Sequence, residues 1–360
     1  MKIAILSLRS RFGDVTGDCV QAAKTVDALK AIGQDAERYY LDAPYGKVYD
    51  NENRELGDWQ TAMRDMDIIH TLPPIPIANI TRHPKVRAKL VTSTVFWSSP
   101  TYWKVVLKNT KGVDLNLIKA LIREVAAKMG IKLLTAKDGY DLLLPNSEDE
   151  IRCVKKYCQL KKGAKLVAVP NAIDPIPDWV DSLERDSNLP DEDYVLVPGF
   201  FAARKNQKKL IHALQDFPHP IVFMGKGPLL EDCKKVATPQ MLFLGHVAHQ
   251  SREFYSAMKY ARVVCLSSNC ETPGIAGLEA AALGARPVVP YEGGTCQYYG
   301  WDAEYLDPLS SKSIKESIER AWARGRLIED STKKYRLCTW QFCAKRTVEA
   351  YESIILPRRD

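Results

Sequence analysis

Glu271-Thr272-Pro273-Gly274-Ile275-Ala276-Gly277-Leu278-Glu279-Ala280 sets two carboxylates eight positions apart around a glycine. The first follows an apolar run, residues 261–266, that reads as a buried strand. The second falls in an apolar stretch that continues to Leu283 and stops at Gly284. Strand, loop and helix are read in succession, with Glu271 in the loop and Glu279 two turns into the helix. Gly274, between Thr272 and Ile275, lets a ligand approach the helix N-terminus, where unpaired N–H groups favour anions. Taken alone, the stretch reads as readily as an exposed loop acid followed by a helix-surface acid.

The same grammar recurs upstream. Gly199-Phe200-Phe201-Ala202-Ala203-Arg204-Lys205-Asn206-Gln207 follows an apolar run and opens a helical pattern that continues through Leu210 and Ala213. A glycine turn with Arg204 and Lys205 at a helix start is a seat for a diphosphate, because helix dipole and side chains act on one charge. Solvated basic residues at a helix start explain it equally. Met224-Gly225-Lys226-Gly227-Pro228 again follows a strand-like run. Its glycines admit a nucleotide or simply make a tight turn, since Gly-x-Gly alone is a weak signal.

Farther out, short apolar runs alternate with longer helical patterns. Strands are expected at residues 3–6, 67–71, 89–95, 141–145 and 165–169, then at 194–197, 220–224, 241–244, 261–266 and 286–290. Helices are expected at 19–32, stopped by Gly33, and at 115–129, stopped by Gly130. Such alternation predicts parallel α/β sheets. The pattern restarts near Tyr194, after a polar stretch from Asp174 to Asp193 that contains Pro175, Pro177 and Pro190 and reads as a linker. Two Rossmann-like, doubly wound domains in tandem are therefore expected, at 1–172 and 173–339, facing a central cleft.

Composition narrows the classes. With 360 residues, 46% of them hydrophobic, the chain fills two ordinary cores. It has no apolar run long enough to span a membrane, and its start, Met1-Lys2-Ile3-Ala4-Ile5-Leu6-Ser7, turns polar too soon for a signal peptide. Nine cysteines without a Cys-x-x-Cys read as reduced thiols of a cytoplasmic protein. Asp65-Met66-Asp67 precedes a strand, and His246 and His249 lack a third ligand, so no metal is expected. The net charge of +7 suits an anionic donor, a membrane surface or nucleic acid, and a solvated lysine-rich surface as well. No basic-aromatic motif favours nucleic acid. Lys119, Arg123 and Lys128 beside an apolar stripe make residues 115–129 an amphipathic surface helix, with membrane contact as the alternative.

In order and spacing, the Glu-x7-Glu element, the Arg204-Lys205-Asn206 loop and the Gly225-Lys226-Gly227-Pro228 loop resemble the C-terminal half of family 4 glycosyltransferases. Gly245, the pair Gly293-Gly294, and Thr339-Trp340 with Tyr351 resemble that family's later elements, the last being a C-terminal helix that crosses back to the first domain. Gly17-Asp18 resembles its first glycine loop, Asp67-Ile68-Ile69-His70 its third strand, and Asn146-Ser147 its serine turn. Val169-Pro170-Asn171-Ala172-Ile173-Asp174 resembles its hinge. The chain departs from the family at Phe200, where arginine is usual, at Asp18 for glycine, and at Gln297 for glutamate. It also lacks a histidine within Thr92–Phe96.

The resemblance implies a GT-B fold and a cytoplasmic, retaining, metal-independent transferase without a cofactor, whose final helix, 340–357, packs on the first domain. The substrate would be a nucleotide-sugar donor, a uridine diphosphate sugar before guanosine diphosphate mannose, and the acceptor is unidentified. Glu271, Lys205 and Arg204 would be catalytic. Glu279, Gly274, Ile275, Thr272, Gly199, Gly225, Lys226 and Gly17 would bind the donor, with Glu279 on the ribose. A peripheral membrane contact is a further expectation. The alternatives are a catalytically weak sugar-nucleotide or glycan-binding subunit, motivated by Phe200, and another GT-B enzyme such as a sugar-nucleotide epimerase.

Overall fold

The computed structural model describes residues 1–9, 12, 17–42, 46–72, 87–94, 97, 139–158 and 160–355. The predicted helix at 115–129, with its membrane-contact alternative, lies outside the described residues. The chain separates into two compact units. Among the described residues, the first contains 1–97, 139–172 and 339–355, and the second contains 173–338.

The first unit is built on an eight-stranded sheet ordered β4-β3-β2-β1-β5-β6-β7-β8. Its strands are β1 (Lys2–Leu8), β2 (Asp35–Asp42), β3 (Lys47–Tyr49), β4 (Glu55–Asp58), β5 (Ile68–Thr71), β6 (Lys89–Ser93), β7 (Leu142–Leu144) and β8 (Lys165–Leu166). Ile3 to Leu6 and Ile68 to Thr71 are buried without alternation, because both sheet faces are covered. Helix α1 (Gly17–Ala31) and the C-terminal helix Trp340–Ile355 share one core with Ile3, Ile5 and Leu142. The short α2 (Trp59–Ala62) and α3 (Glu148–Tyr157) supply Trp59 and Val154 to the core that also holds Ala4 and Leu6.

The sheet is mixed rather than wholly parallel. β3 runs antiparallel to β2 and β4, and these three strands were not legible as apolar runs. Asp-Ala-Glu-Arg-Tyr-Tyr-Leu-Asp in β2 carries charge among its apolar residues, and β4 is largely exposed at the edge.

The second unit carries six parallel strands ordered β11-β10-β9-β12-β13-β14. They are β9 (Val195–Pro198), β10 (Ile221–Met224), β11 (Met241–Gly245), β12 (Val263–Cys265), β13 (Arg286–Pro290) and β14 (Glu304–Leu306). The connecting helices are α4 (Gln207–Ala213), α5 (Leu230–Lys234), α6 (Arg252–Lys259), α7 (Ile275–Ala282), α8 (Thr295–Tyr299), α9 (Ser311–Arg324) and α10 (Glu329–Arg336). One core takes Leu210, Ile211, Ile314 and Ile318, and the other takes Phe254, Met258, Ala280 and Leu283, so helices cover both faces. The stretch 174–193 is not a free linker. Val180, Leu183 and Leu189 are buried in the second of these cores, and a 3-10 turn forms at Asp178–Val180. Its prolines mark turns within a packed segment.

Candidate functional site

In the second unit the chain runs from β9 outward to β10 and β11, then returns to place β12 on the other side of β9. The loops leaving β9 and β12 therefore diverge at their carboxyl ends, where open α/β sheets bind ligands. The loop after β9 holds Gly199 to Asn206, and the loop after β12 holds Leu266 to Gly274.

Hydrogen bonds to backbone carbonyls stitch the two loops together. Asn269 N donates to Arg204 O at 2.9 Å, and Ser267 Oγ donates to Lys205 O at 2.9 Å. Between them Lys205 Nζ meets Glu271 Oε1 at 2.5 Å, and Ser268 Oγ donates to the same oxygen. Glu271 is 7% exposed, so this is a largely desolvated ion pair and not a surface contact. Arg204 is exposed and makes no ion pair among the described residues.

Arg204 and Lys205 do not start the following helix. They form a separate 3-10 turn, Ala203–Lys205, closed by Asn206 in the left-handed region at φ 59°. Asn206 Nδ2 donates to Pro308 O at 2.9 Å, which holds the break before α4. The charge at this point is therefore that of the two side chains, without the alignment of a continuous helix axis.

Gly274 caps α7 at φ 87° and supplies no side-chain cap. A Cβ there would stand 2.4 Å from Leu266 Cδ1 and 3.2 Å from Glu271 Oε2, so only glycine lets the carboxylate lie against the start of this helix. The first-turn amides of Ile275 and Ala276 have no acceptor inside a helix. Thr272 is half-buried just before this cap. Tyr299 Oη donates to Gly274 O at 3.0 Å, and the hydroxyl also lies 3.3 Å from Pro273 O. Burial, reinforced by the Glu271 charge, pushes this phenol far above its usual range, so it remains a donor. The sequence reading had not singled out Tyr299.

Glu279 is the fifth residue of α7, hence one turn in rather than two, and it is 7% exposed. His249 Nε2 lies 2.7 Å from Glu279 Oε1. Burial, followed by the charges of Glu279 and Asp174, pushes the neighbouring Tyr255 phenol up to about 12. In the sequence His249 stands out only beside His246, as a metal ligand short of a third, and nothing local pairs it with Glu279.

Gly225 has a different reason to be glycine from the one expected. A Cβ on it would lie 2.0 Å from Gly199 O, and Gly199 N donates to Met224 O at 2.8 Å. The missing side chain lets the loops after β9 and β10 touch. Lys226 is exposed on the outer side of that contact, and its carbonyl accepts from Phe201 N at 2.8 Å. Gly17 belongs to the first unit, where it opens α1 after β1. Among the described residues no three His, Cys, Asp or Glu side chains cluster to hold a metal ion, and no helix is long and apolar enough to cross a membrane.

Residues 181–334 match the family described as glycosyl transferases group 1. No curated protein matches the chain by sequence. A sucrose-phosphate synthase from Thermosynechococcus elongatus superposes with TM-score 0.70 at 16% identity, over 98% of this chain and 99% of that one. A lipopolysaccharide outer core galactosyltransferase in its apo form gives TM-score 0.70 at 13% identity, over 98% and 99%. Anabaena HepE in complex with UDP gives 0.62 at 15%, over 98% and 97%. At such identities the structures speak to fold, and the fold they share with the whole chain is GT-B. The Lys205–Glu271 pair, the α7 cap and Glu279 all lie inside the matched segment, so the chain has GT-B architecture and the greater part of its second unit is similar to the group 1 glycosyl transferases.

Proposed function

We propose that the chain transfers a sugar from a nucleoside diphosphate sugar to a hydroxyl acceptor, with the donor held by the loops after β9 and β12. The observation that carries the reading is the buried Lys205–Glu271 pair lying at the N-terminal cap of α7, with Glu279 one turn farther on. Glu279 would accept hydrogen bonds from the ribose hydroxyls, since an ionised carboxylate suits two vicinal donors. Lys205 balances the charge of Glu271. A diphosphate would compete for that ammonium, leaving Glu271 to face the sugar. Lys205, helped by the exposed Arg204 and the amides of Ile275 and Ala276, would then stabilise the charge that grows on the departing diphosphate.

Uridine diphosphate is the favoured leaving group, which accords with the UDP named in the HepE complex, and guanosine diphosphate mannose is the next donor. Retention at the anomeric carbon, independence of metal, and an acceptor held largely by residues 1–170 follow the resemblance to family 4. Phe200 supports a second reading. It is 49% exposed where that family carries arginine, and one cation fewer at the diphosphate suits a subunit that binds donors without turning them over.

The test compares the two glutamates. Glu279→Ala should weaken free UDP by roughly 1.5–3 kcal/mol for each hydrogen bond lost, because ribose contacts are alike in ground and transition states. Glu271→Ala should leave free UDP affinity nearly unchanged and lower turnover by orders of magnitude. Titration calorimetry with steady-state kinetics in excess chelator reads both. Normal binding and turnover in both variants would sink the reading, and donor binding without transfer or hydrolysis by the wild type would favour the binding subunit.

A further inference from the structure

We infer that His249 is a positioning residue that orients the Glu279 carboxylate for the ribose of the donor. The inference rests on the proposed role of Glu279 and goes on to say what holds that side chain in place.

Glu279 projects from the body of α7, and its burial alone does not set the rotation of its carboxylate about the last side-chain bond, which is soft. His249 Nε2, at 2.7 Å from Oε1, restricts that rotation. A carboxylate only accepts, so Nε2 carries the hydrogen. The histidine is itself held. Its ring stands edge-on to Phe254, with centroids 4.9 Å apart and planes at 70°. The turn that presents it is closed by Ser251 N donating to Ala248 O at 3.1 Å, with Gln250 at φ 64°. Gln250 Nε2 donates to Asp174 Oδ2 at 2.6 Å, and Ser251 Oγ accepts from Phe254 N at 3.1 Å, starting α6. The imidazole thus comes from a turn anchored on both sides, and not from a swinging loop. Its side chain is half exposed while that of Glu279 is nearly covered, so the imidazole lies on the solvent side of the carboxylate.

The role predicts a specific coupling. Glu279 would contact only the ribose hydroxyls, so a residue acting through it should affect ligands that have those hydroxyls and spare ligands that lack them. The probes are UDP and 2′,3′-dideoxy-UDP, titrated into the full chain carrying His249→Ala, His249→Gln or Glu279→Ala. Glu279→Ala should abolish the wild type's preference for UDP. His249→Ala should weaken UDP by roughly three- to tenfold, the range of one lost hydrogen bond, and leave the dideoxy analogue nearly unchanged. His249→Gln should restore most of the preference, because a glutamine amide reaches about as far as Nε2. KM for the donor should rise in His249→Ala while kcat stays close to wild type.

Loss of both ligands in parallel in His249→Ala would make the histidine a prop of the loop and overturn the inference. A UDP preference that vanishes in Glu279→Ala and survives intact in His249→Ala would overturn it alone. A preference that survives in Glu279→Ala would instead remove the ribose role of Glu279, and the inference with it.

Discussion

His70 is 1% exposed and both of its ring nitrogens are engaged. Nδ1 lies 2.6 Å from Tyr351 Oη and Nε2 lies 2.9 Å from Ser93 Oγ. Burial lowers its pKa from 6.5 to about 3, so the folded chain keeps it neutral. Between those values the unfolded chain binds one more proton, and stability therefore rises with pH across the window. On acidification from pH 7 to 5, the first unit should lose stability with a slope approaching about 1.4 kcal/mol per pH unit from this residue. Urea unfolding at several pH values checks it, and His70→Gln should flatten the slope. An unchanged slope would mean that protons reach the ring in the folded state. At this scale the site was partly legible. The spacing of Glu271 and Glu279 stands out because both belong to one strand–loop–helix unit. Their partners do not. His249 lies 30 residues from Glu279, Lys205 lies 66 from Glu271, and Tyr299 lies 25 from the carbonyl of Gly274, so no local pattern announces them.

The loops after β9 and β10 illustrate what an element needs beyond its own pattern. Gly225 permits a backbone approach that no side chain allows, since the obstacle is the carbonyl of Gly199 and not a rotatable group. Gly225→Ala adds a positive-φ penalty to that clash. It should destabilise the second unit by at least about 2 kcal/mol, and UDP affinity should fall with the displaced loop. Chemical denaturation with a UDP titration measures both, and a variant as stable as wild type would show that the two loops do not need this contact. Helical propensity ran the Arg204–Lys205 segment into α4. Asn206 breaks it, because its side chain reaches Pro308, about a hundred residues on, and holds the left-handed geometry. The strands β2, β3, β4 and β14 escaped notice because each is short or carries charge among its apolar residues. Sheet neighbours, not composition, make them strands.

Each compact unit closes its own core, and the first does so with the end of the chain. Trp340, Ala344, Ala350 and Tyr351 from the C-terminal helix are buried with Ile3, Ile5 and Leu29. A chain ending at Cys338 should lose on the order of 5 kcal/mol from the first unit, counting the burial of Trp340 and Tyr351. Calorimetry should show that unit's transition shifted down, while UDP still protects the second. Equal shifts of both transitions would mean that the helix supports the whole chain. Hydrophobic periodicity sufficed to announce two α/β units, their central strands, and the carboxylates and cations gathered at strand ends, because these depend on contacts within one strand–loop–helix step. Which cation meets which carboxylate, what holds Glu279, and where the prolines of 174–193 pack were decided by folding alone. Those contacts join residues tens of positions apart, and only the assembled sheet brings them within hydrogen-bonding distance.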